Sequence, residues 1–133
     1  MIHKYRAEKT SGGLLYFTIY QIFHSDYDPE NETFGVAVKI DKDIWEIIEC
    51  KIGTEEQYIC QDSKKQDIYE NDIIQFLGYE VINGKQTRPL RKFIVGKTID
   101  SKYKLSCLLT TTTVVRIGNI HENLELMKVN HGS

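Results

Sequence analysis

The sequence is poor in cysteine and proline, and it contains no long hydrophobic run. Its three cysteines, Cys50, Cys60 and Cys107, form no C-x-x-C pair, so neither a disulfide framework nor a zinc finger is indicated. The longest apolar stretch, residues 14–23, has ten residues, whereas a membrane-spanning helix needs roughly 20. No secretory signal is recognisable at the start of the chain. We therefore expect a cytoplasmic protein that does not contact a membrane.

The chain also lacks a large excess of charge of either sign. It has 17 Lys and Arg residues against 19 Asp and Glu residues, which gives a formal net charge of -2. The overall charge therefore provides no general attraction to nucleic acid or to an anionic membrane. With 133 residues, of which 41% are hydrophobic, the chain is long enough to form one core. We expect a single domain over residues 1–130 and a frayed tail at 131–133, with two β subdomains, residues 1–53 and 54–130, as the alternative.

Apolar and polar residues alternate with a period of two along most of the chain, which predicts β strands. Ile44 to Ile52 has apolar residues on both faces, which favours a strand covered on both sides over a short helix. Phe93, Val95 and Ile99 alternate in a further segment that can return a hairpin. The remaining predicted strands cover residues 5–7, 14–23, 34–40, 57–61, 73–82, 104–109 and 112–120.

Turn and cap signals connect these segments. Asn83-Gly84 predicts a tight type I′ turn after residue 82, with the return strand starting either at once or after Pro89. Asn123 is placed to cap a short helix over residues 124–128. The sequence therefore predicts a mainly β fold, a small antiparallel barrel or sandwich with SH3-like or similar barrel elements, and one short C-terminal helix.

No group of residues has the spacing of a catalytic or metal site. The run Asp26, Asp28, Glu30, Glu32 resembles a calcium loop, but Asn31 and Ala37 occupy the positions that need Gly and a bidentate Glu. The histidines are far apart in sequence, at His3, His24, His121 and His131. No cysteine or serine is marked as an activated nucleophile, and no glycine-rich phosphate loop occurs. We expect a protein that is not an enzyme and has no metal or cofactor.

The most basic stretch lies after the Asn83-Gly84 turn and contains Lys85, Arg88, Arg91 and Lys92 without an intervening acid. Together with Tyr79 and Phe93 on either side, these cations would suit contacts to the backbone or bases of single-stranded nucleic acid. The other interpretation, which we favour, is that they are solvated charges that protect a hairpin tip and edge strands from aggregation.

Two blocks in the second half carry a family resemblance. The first block, Ile68-Tyr69-Glu70-Asn71-Asp72, is similar to an I-Y-E-G-D block. The second block contains Gly118-Asn119 and Asn123 and is similar to a closing I-G-N-I-Y-E-N-P-E-L-L block. Over about residues 55–128 the chain thus resembles the YopX family of phage and prophage proteins. The resemblance implies a mostly β fold, expression in a bacterial host cell from phage DNA, and a family with no assigned biochemical activity. It supplies no catalytic residues.

We interpret the residues of these two blocks as structural. Ile68 and Tyr69 are expected to be core anchors, Glu70 to Asp72 a turn, and Asn119 and Asn123 a turn residue and a cap. Asn71 stands where the family has Gly, and Asn tolerates a left-handed backbone better than other non-glycine residues. Leu124 replaces a favoured but dispensable Pro, and His121 replaces Tyr. The turn at residues 64–65 lacks the family's Asn-Gly.

Two functions from different classes are consistent with these observations. The first is a non-enzymatic protein-binding or self-assembling module. We expect it to be a homo-oligomer, because exposed β edges and the aromatic segment 14–23 favour pairing between subunits. The second is a nucleic-acid-binding accessory protein of phage replication or regulation that uses residues 85–92. An enzyme acting on a small molecule is a third, weaker hypothesis, because the sequence displays no site.

Overall fold

The computed structural model describes residues 4–127, and the side chains of all of them except residues 24–25 and 98–100. This part of the chain is mainly β, with twelve strands, one α helix and two 3-10 helices. The strands form several antiparallel sheets, which confirms the predicted fold class. The chain divides into two compact units, residues 1–58 and 59–133. No helix within residues 4–127 is long and apolar enough to cross a membrane.

The first unit contains two antiparallel arrangements of strands. β1 and β2 form a hairpin in which Gly12 and Gly13 adopt positive φ angles of 100° and 79°. β3, β4 and β5 follow one another in a three-stranded sheet, and Asp43 turns the chain between β4 and β5 with a φ of 59°. The bounds are β1 Lys4–Glu8, β2 Leu14–Thr18, β3 Ile22–Asp28, β4 Thr33–Asp41, β5 Ile44–Lys51, and β6 Glu56–Gln61, which crosses into the second unit.

The core of the first unit lies on one face of the β3-β4-β5 sheet. Phe34 and Val36 of β4 point to this face together with Cys50 of β5. Phe17 of β2 meets Phe34 edge to face, with ring centroids 5.9 Å apart. Because side chains alternate along a strand, the residues between these positions point to the opposite face of the sheet.

The second unit combines a three-stranded sheet, a separate hairpin and a helix. β8 is the central strand of the sheet, between β11 and β12, and β9 pairs with β10. The core contains Ile68, Ile74, Val95, Leu105 and Val114. The bounds are β7 Asp67–Tyr69, β8 Asp72–Leu77, β9 Glu80–Ile82, β10 Lys85–Thr87, β11 Leu90–Ile94, β12 Val114–Asn119, and helix α1 Thr98–Thr111.

The Asn83-Gly84 turn is confirmed. Both residues have positive φ angles, 51° and 77°, as a type I′ turn requires, and Ile82 pairs with Lys85. Both predicted return strands exist, because β10 starts directly after the turn and pairs with β9, whereas β11 starts after Pro89 and pairs with β8.

Helix α1 overturns the predicted strand at residues 104–109 and the extension of the preceding strand to Ile99. The segment is helical because Ser101, Leu105 and Leu108 fall on one face at spacings of four and three residues, and Leu105 is fully buried. The sequence did not indicate this helix because its apolar face is short and its last turn is rich in β-branched threonine, which favours strands.

Two other predictions about strands are corrected. The predicted strand 14–23 is interrupted by a 3-10 helix, Ile19–Gln21, where the Thr18 N–H donates a hydrogen bond of 2.8 Å to Oε1 of Gln21. The strand predicted at 44–52 exists as β5, but it is not covered on both sides, because Trp45 is 57% exposed. The predicted C-terminal helix is present as a 3-10 helix, Leu124–Met127, and residues 128 and 131–133 lie outside the described residues.

Candidate functional site

The most unusual surface of the first unit is the face of the β3-β4-β5 sheet that lies opposite the core. The strand register pairs Phe23 with Gly35, Ala37 with Ile47, and Lys39 with Trp45. Directly paired residues of antiparallel strands point to the same side of a sheet. We call this surface the outer face, and it consists of Phe23, Gly35, Ala37, Lys39, Trp45, Ile47 and Glu49.

Large apolar side chains are exposed on the outer face. Trp45 is 57% exposed, Phe23 42% and Ile47 38%, and the Lys39 ammonium lies 6.0 Å from the centre of the Trp45 ring. Single exposed apolar residues are common on soluble proteins, but a cluster on one face is typical of an interaction surface. This part of the sheet therefore has the composition of a protein-binding surface.

An open groove of about 430 Å³ lies at the end of the outer face. Gly35 forms part of its lining beside Ile47, and a β carbon at Gly35 would come 2.7 Å from both Cβ of Asp26 and Cγ2 of Ile47. The groove therefore exists in this shape because residue 35 has no side chain. Its other lining residues are Tyr27, Asp28, Thr33 and Glu49.

Three carboxylates give the groove a negative charge. They belong to Asp26, Asp28 and Glu49. The side-chain amide of Asn31 donates a 2.8 Å hydrogen bond to Asp28 Oδ2, and this bond, with backbone N–H groups of Asn31 and Glu30, lowers the pKa of Asp28 below its ordinary value. Carboxylates beside aromatic and aliphatic groups can bind a cationic side chain through both its charge and its carbon stem. The groove therefore suits a lysine or arginine.

The metal interpretation of this acidic loop gains no support. Within residues 4–127, no group of three His, Cys, Asp or Glu side chains is placed to hold a metal ion. The loop is a turn between β3 and β4 in which Glu32 has a φ of 57°. Of the four histidines, His121 is exposed, His3 and His131 lie outside the described residues, and His24 is described only by its backbone.

The four cations after Asn83 are distributed over three segments. Lys85 lies on β10, Arg88 in the following loop, and Arg91 and Lys92 on β11, and all four are exposed. They do not form one uniform patch. Arg91 and Lys92 are consecutive in a strand and therefore point to opposite faces.

Two of these cations make contacts within the chain. Arg88 donates from Nε to the carbonyl oxygen of Gly78 at 2.6 Å, and Arg91 forms an ion pair of 3.4 Å with Glu80. Lys92 lies on the other face of β11, between Leu90 and Ile94, which are 57% and 39% exposed. This face of β11 therefore presents one cation between two exposed apolar side chains.

The residues of the family resemblance are brought together in the second unit, where they stabilise the fold. Ile68 and Tyr69 are buried, as predicted. The buried carboxylate of Asp72 accepts a hydrogen bond of 2.7 Å from the Tyr69 N–H, and its Oδ2 lies 3.0 Å from Nε of Arg116 as an ion pair that lacks hydrogen-bond geometry. Asn71 adopts a left-handed φ of 68°, which confirms that it can replace glycine. Of the turn predicted over Glu70 to Asp72, Glu70 and Asn71 form the turn, and Asp72 begins β8.

The closing block is also structural. Gly118 packs closely against the side chain of Asn123. A β carbon at position 118 would lie only 2.6 Å from Oδ1 of Asn123, so this contact requires glycine. Asn119 Oδ1 accepts hydrogen bonds of 2.9 Å from the N–H groups of His121 and Glu122, as expected for a turn residue. Asn123 directly precedes the 3-10 helix, as predicted for a cap residue, and its carbonyl oxygen accepts a 2.9 Å hydrogen bond from the Leu126 N–H. Its side-chain Oδ1 accepts a bond of 3.3 Å from the Asn119 N–H.

A residue that the sequence did not single out, Asp62, completes the turn that lacks Asn-Gly. Asp62 is 3% exposed, and its carboxylate accepts hydrogen bonds from the backbone N–H groups of Lys64, Gln66 and Arg116 at 2.8–2.9 Å. These bonds hold the turn in which Lys65 has a φ of 66°. A side-chain acceptor thus replaces the glycine of the family pattern.

The outer face is the site that sequence analysis missed. The sequence feature that could have indicated this site is the pair of small residues Gly35 and Ala37. In the register they lie opposite Glu49 and Ile47. Small residues on one strand beside large ones on its neighbour can indicate a groove. The alternation pattern does not show which face of β5 is covered, so Trp45 and Ile47 were expected to be buried.

Comparison with known proteins adds no identification: no family model, no curated protein and no solved structure matches this chain.

Proposed function

We propose that this protein is a non-enzymatic, self-associating module that binds through the outer face of its β3-β4-β5 sheet. The observation that carries the proposal is the exposure of Phe23, Trp45 and Ile47 on one sheet face. Burial of apolar surface contributes about 25 cal/mol for each Å² removed from water. Trp is also among the residues that contribute most to the binding energy of protein interfaces.

The face of the sheet supports association better than its edge. β3 is one of the outer strands in the β3-β4-β5 order, but its pairing with β4 shifts register between Phe23 and Asp28. Such an irregularity bends and twists a strand, which hinders the addition of a further strand. We therefore assign the interaction to side chains of the outer face rather than to strand addition, which was the route suggested by the sequence.

Nucleic-acid binding is the alternative that the sequence left open, and the structure supports it less. A nucleic-acid surface gains affinity from several cations that contact successive phosphates. Here Arg88 and Arg91 already contact groups within the chain, and Arg91 and Lys92 point to opposite faces. The resemblance to the YopX family supports a phage or prophage origin in a bacterial host for either function.

The test is light scattering coupled to size exclusion over a range of protein concentrations, with Trp45→Ser and the control Tyr103→Ser. Tyr103 is a 75% exposed aromatic residue on helix α1, which belongs to the second unit. We expect the wild type and Tyr103→Ser to self-associate equally and Trp45→Ser to dissociate at concentrations roughly tenfold higher than they do. Circular dichroism checks that both variants are folded.

Two outcomes would contradict this proposal. One is a wild-type protein that stays monomeric at every concentration. The other is a complex with short single- or double-stranded oligonucleotides that dissolves at high salt while Trp45→Ser leaves the oligomeric state unchanged, which would favour the nucleic-acid alternative.

A further inference from the structure

The two units of the chain carry opposite net charges. Residues 1–58 contain six Lys and Arg against eleven Asp and Glu, a net charge of -5, whereas residues 59–133 contain eleven against eight, a net charge of +3. The overall net charge of -2 is small because it is the sum of these two opposite charges. Complementary charges on two parts of a chain favour association of one copy with another and orient the two copies.

The second unit has an exposed surface whose chemistry matches the outer face. Alternation along β11 places Leu90, Lys92 and Ile94 on one side of the strand, and the register pairs Leu90 with Leu77 of β8, which is 47% exposed. We call these four residues the Lys92 stripe. It presents one ammonium group between aliphatic side chains, whereas the outer face presents carboxylates beside aromatic and aliphatic side chains.

We propose that the outer face of one copy binds the Lys92 stripe of a second copy, with the Lys92 ammonium in the groove between Asp26 and Glu49. This inference rests on the proposed self-association and names its partner surface. The contact packs one sheet face on another, and the aliphatic residues of the stripe cover Trp45, Ile47 and Phe23. A lysine beside two carboxylates gains charge-assisted hydrogen bonds.

Charge favours this arrangement over the symmetric one. Two outer faces packed against each other would bring together two grooves that each carry Asp26, Asp28 and Glu49. The countercharges on that side of each sheet are Lys39 and Lys51, and Lys51 already pairs with Glu8 at 3.8 Å. Like charges placed together at an interface oppose binding. When the outer face of one copy binds the Lys92 stripe of another, the pair still has one free outer face and one free stripe. Further copies can therefore add until a ring closes or a filament forms.

The nature of the stripe also favours a protein partner over nucleic acid. Lys92 is its only cation, and its neighbours Leu90, Ile94 and Leu77 are 39–57% exposed aliphatic residues. Aliphatic side chains offer neither stacking surfaces for bases nor charge for phosphates. They gain free energy when another apolar surface covers them.

Mixing two complementary variants tests the proposal. Glu49→Lys damages only the outer face and Lys92→Glu only the stripe. We expect each variant alone to raise the dissociation constant of self-association roughly tenfold or more. An equimolar mixture regains association, because the intact face of one variant binds the intact stripe of the other. The double variant Glu49→Lys/Lys92→Glu also regains association, because the pair of charges is reversed.

The charge control is Lys85→Glu, at an exposed lysine on β10, and it should leave association unchanged.

Three results would overturn the inference while leaving the proposed function intact. The first is loss of association with Ile47→Asp but not with Lys92→Glu, which would indicate a symmetric interface between two outer faces. The second is failure of the mixture to associate when each variant alone is monomeric. The third is an equal effect of Lys85→Glu and Lys92→Glu, which would indicate a general effect of net charge. A monomeric wild type would instead remove the proposed function itself.

Discussion

Gly35 and Asp26 lie so close that a methyl group on Gly35 would come 2.7 Å from Cβ of Asp26. Ile47 confines the same space from the neighbouring strand, also at 2.7 Å. Atoms this close must move apart, so the groove and the position of Asp26 both depend on the absence of a side chain at residue 35.

Gly35→Ala should therefore destabilise the first unit and weaken self-association. We expect a loss of about 1–3 kcal/mol in the free energy of unfolding, which is typical of overpacking, measured by urea denaturation. Gly96→Ala is the matched control, because its added carbon would only come within 3.4 Å of Oγ of Ser101, an ordinary contact distance. Equal stability of the two variants would show that the sheet opens readily around Gly35.

Breaking the buried ion pair between Arg6 and Glu56 should strongly destabilise the first unit. Nε of Arg6 lies 2.7 Å from Oε1 of Glu56, and the two side chains are 0% and 5% exposed. Glu56→Gln replaces the buried carboxylate by a neutral amide and removes the charge that faces Nε of Arg6, so we expect a loss of about 3–5 kcal/mol in the free energy of unfolding.

Glu8→Gln is the control for this change. Glu8 forms a 3.8 Å ion pair with Lys51, and the two side chains are 35% and 52% exposed. Solvent screens such a pair, so its loss should cost at most about 1 kcal/mol. Similar effects of Glu56→Gln and Glu8→Gln in urea denaturation would mean that water reaches the Arg6–Glu56 pair.

The three cysteines should react with a thiol reagent at different rates. Burial raises the pKa of the Cys50 thiol to about 11 and also raises the pKa of Cys60, where Lys102 partly opposes the effect. Cys107 is exposed on helix α1. Because the thiolate is the reactive form, at pH 8 we expect rapid labelling of Cys107 and labelling of Cys50 only after unfolding. Mass spectrometry of labelled peptides measures the order, and simultaneous labelling of all three in the native state would contradict it.

Asp28 should stay ionised to a lower pH than an ordinary aspartate. Its pKa is lowered from 3.8, first by the hydrogen bond from the Asn31 side chain. A carboxylate with a lowered pKa stabilises the folded state above the unfolded pKa, and this contribution is lost as pH falls through the folded pKa. NMR titration of Asp28 should show a higher pKa in Asn31→Ala. No change in that pKa would indicate that the amide does not hold the carboxylate in solution.

The parts of the fold that depend on local sequence were predictable. Asn83-Gly84 determines its own turn through positive φ angles, and Asn71 adopts the left-handed conformation that its place in the family pattern implies. Ile68 and Tyr69 are both buried in a short strand, and Ile68 belongs to the core of the second unit. In each case the property belongs to a few adjacent residues.

The features that depend on tertiary contacts were not predictable from the pattern. Leu105 and Leu108 fit a strand or a helix, and only packing of helix α1 against the core of the second unit decides between them. Trp45 and Ile47 alternate with Ile48 and Cys50 as in a strand buried on both faces, but only the face of Cys50 meets other strands of the core. The outer face could be recognised only once the register of β4 and β5 was known.

The burial of Trp45 in the assembled protein tests the account most directly. Trp45 is the only tryptophan of the chain, so its fluorescence reports on the outer face alone. We predict that raising the protein concentration through the self-association range shifts the emission to shorter wavelength and reduces quenching by acrylamide, in step with the increase in mass measured by light scattering. An oligomer that forms while Trp45 remains as accessible to acrylamide as in the monomer would contradict the assignment of the outer face as the binding surface.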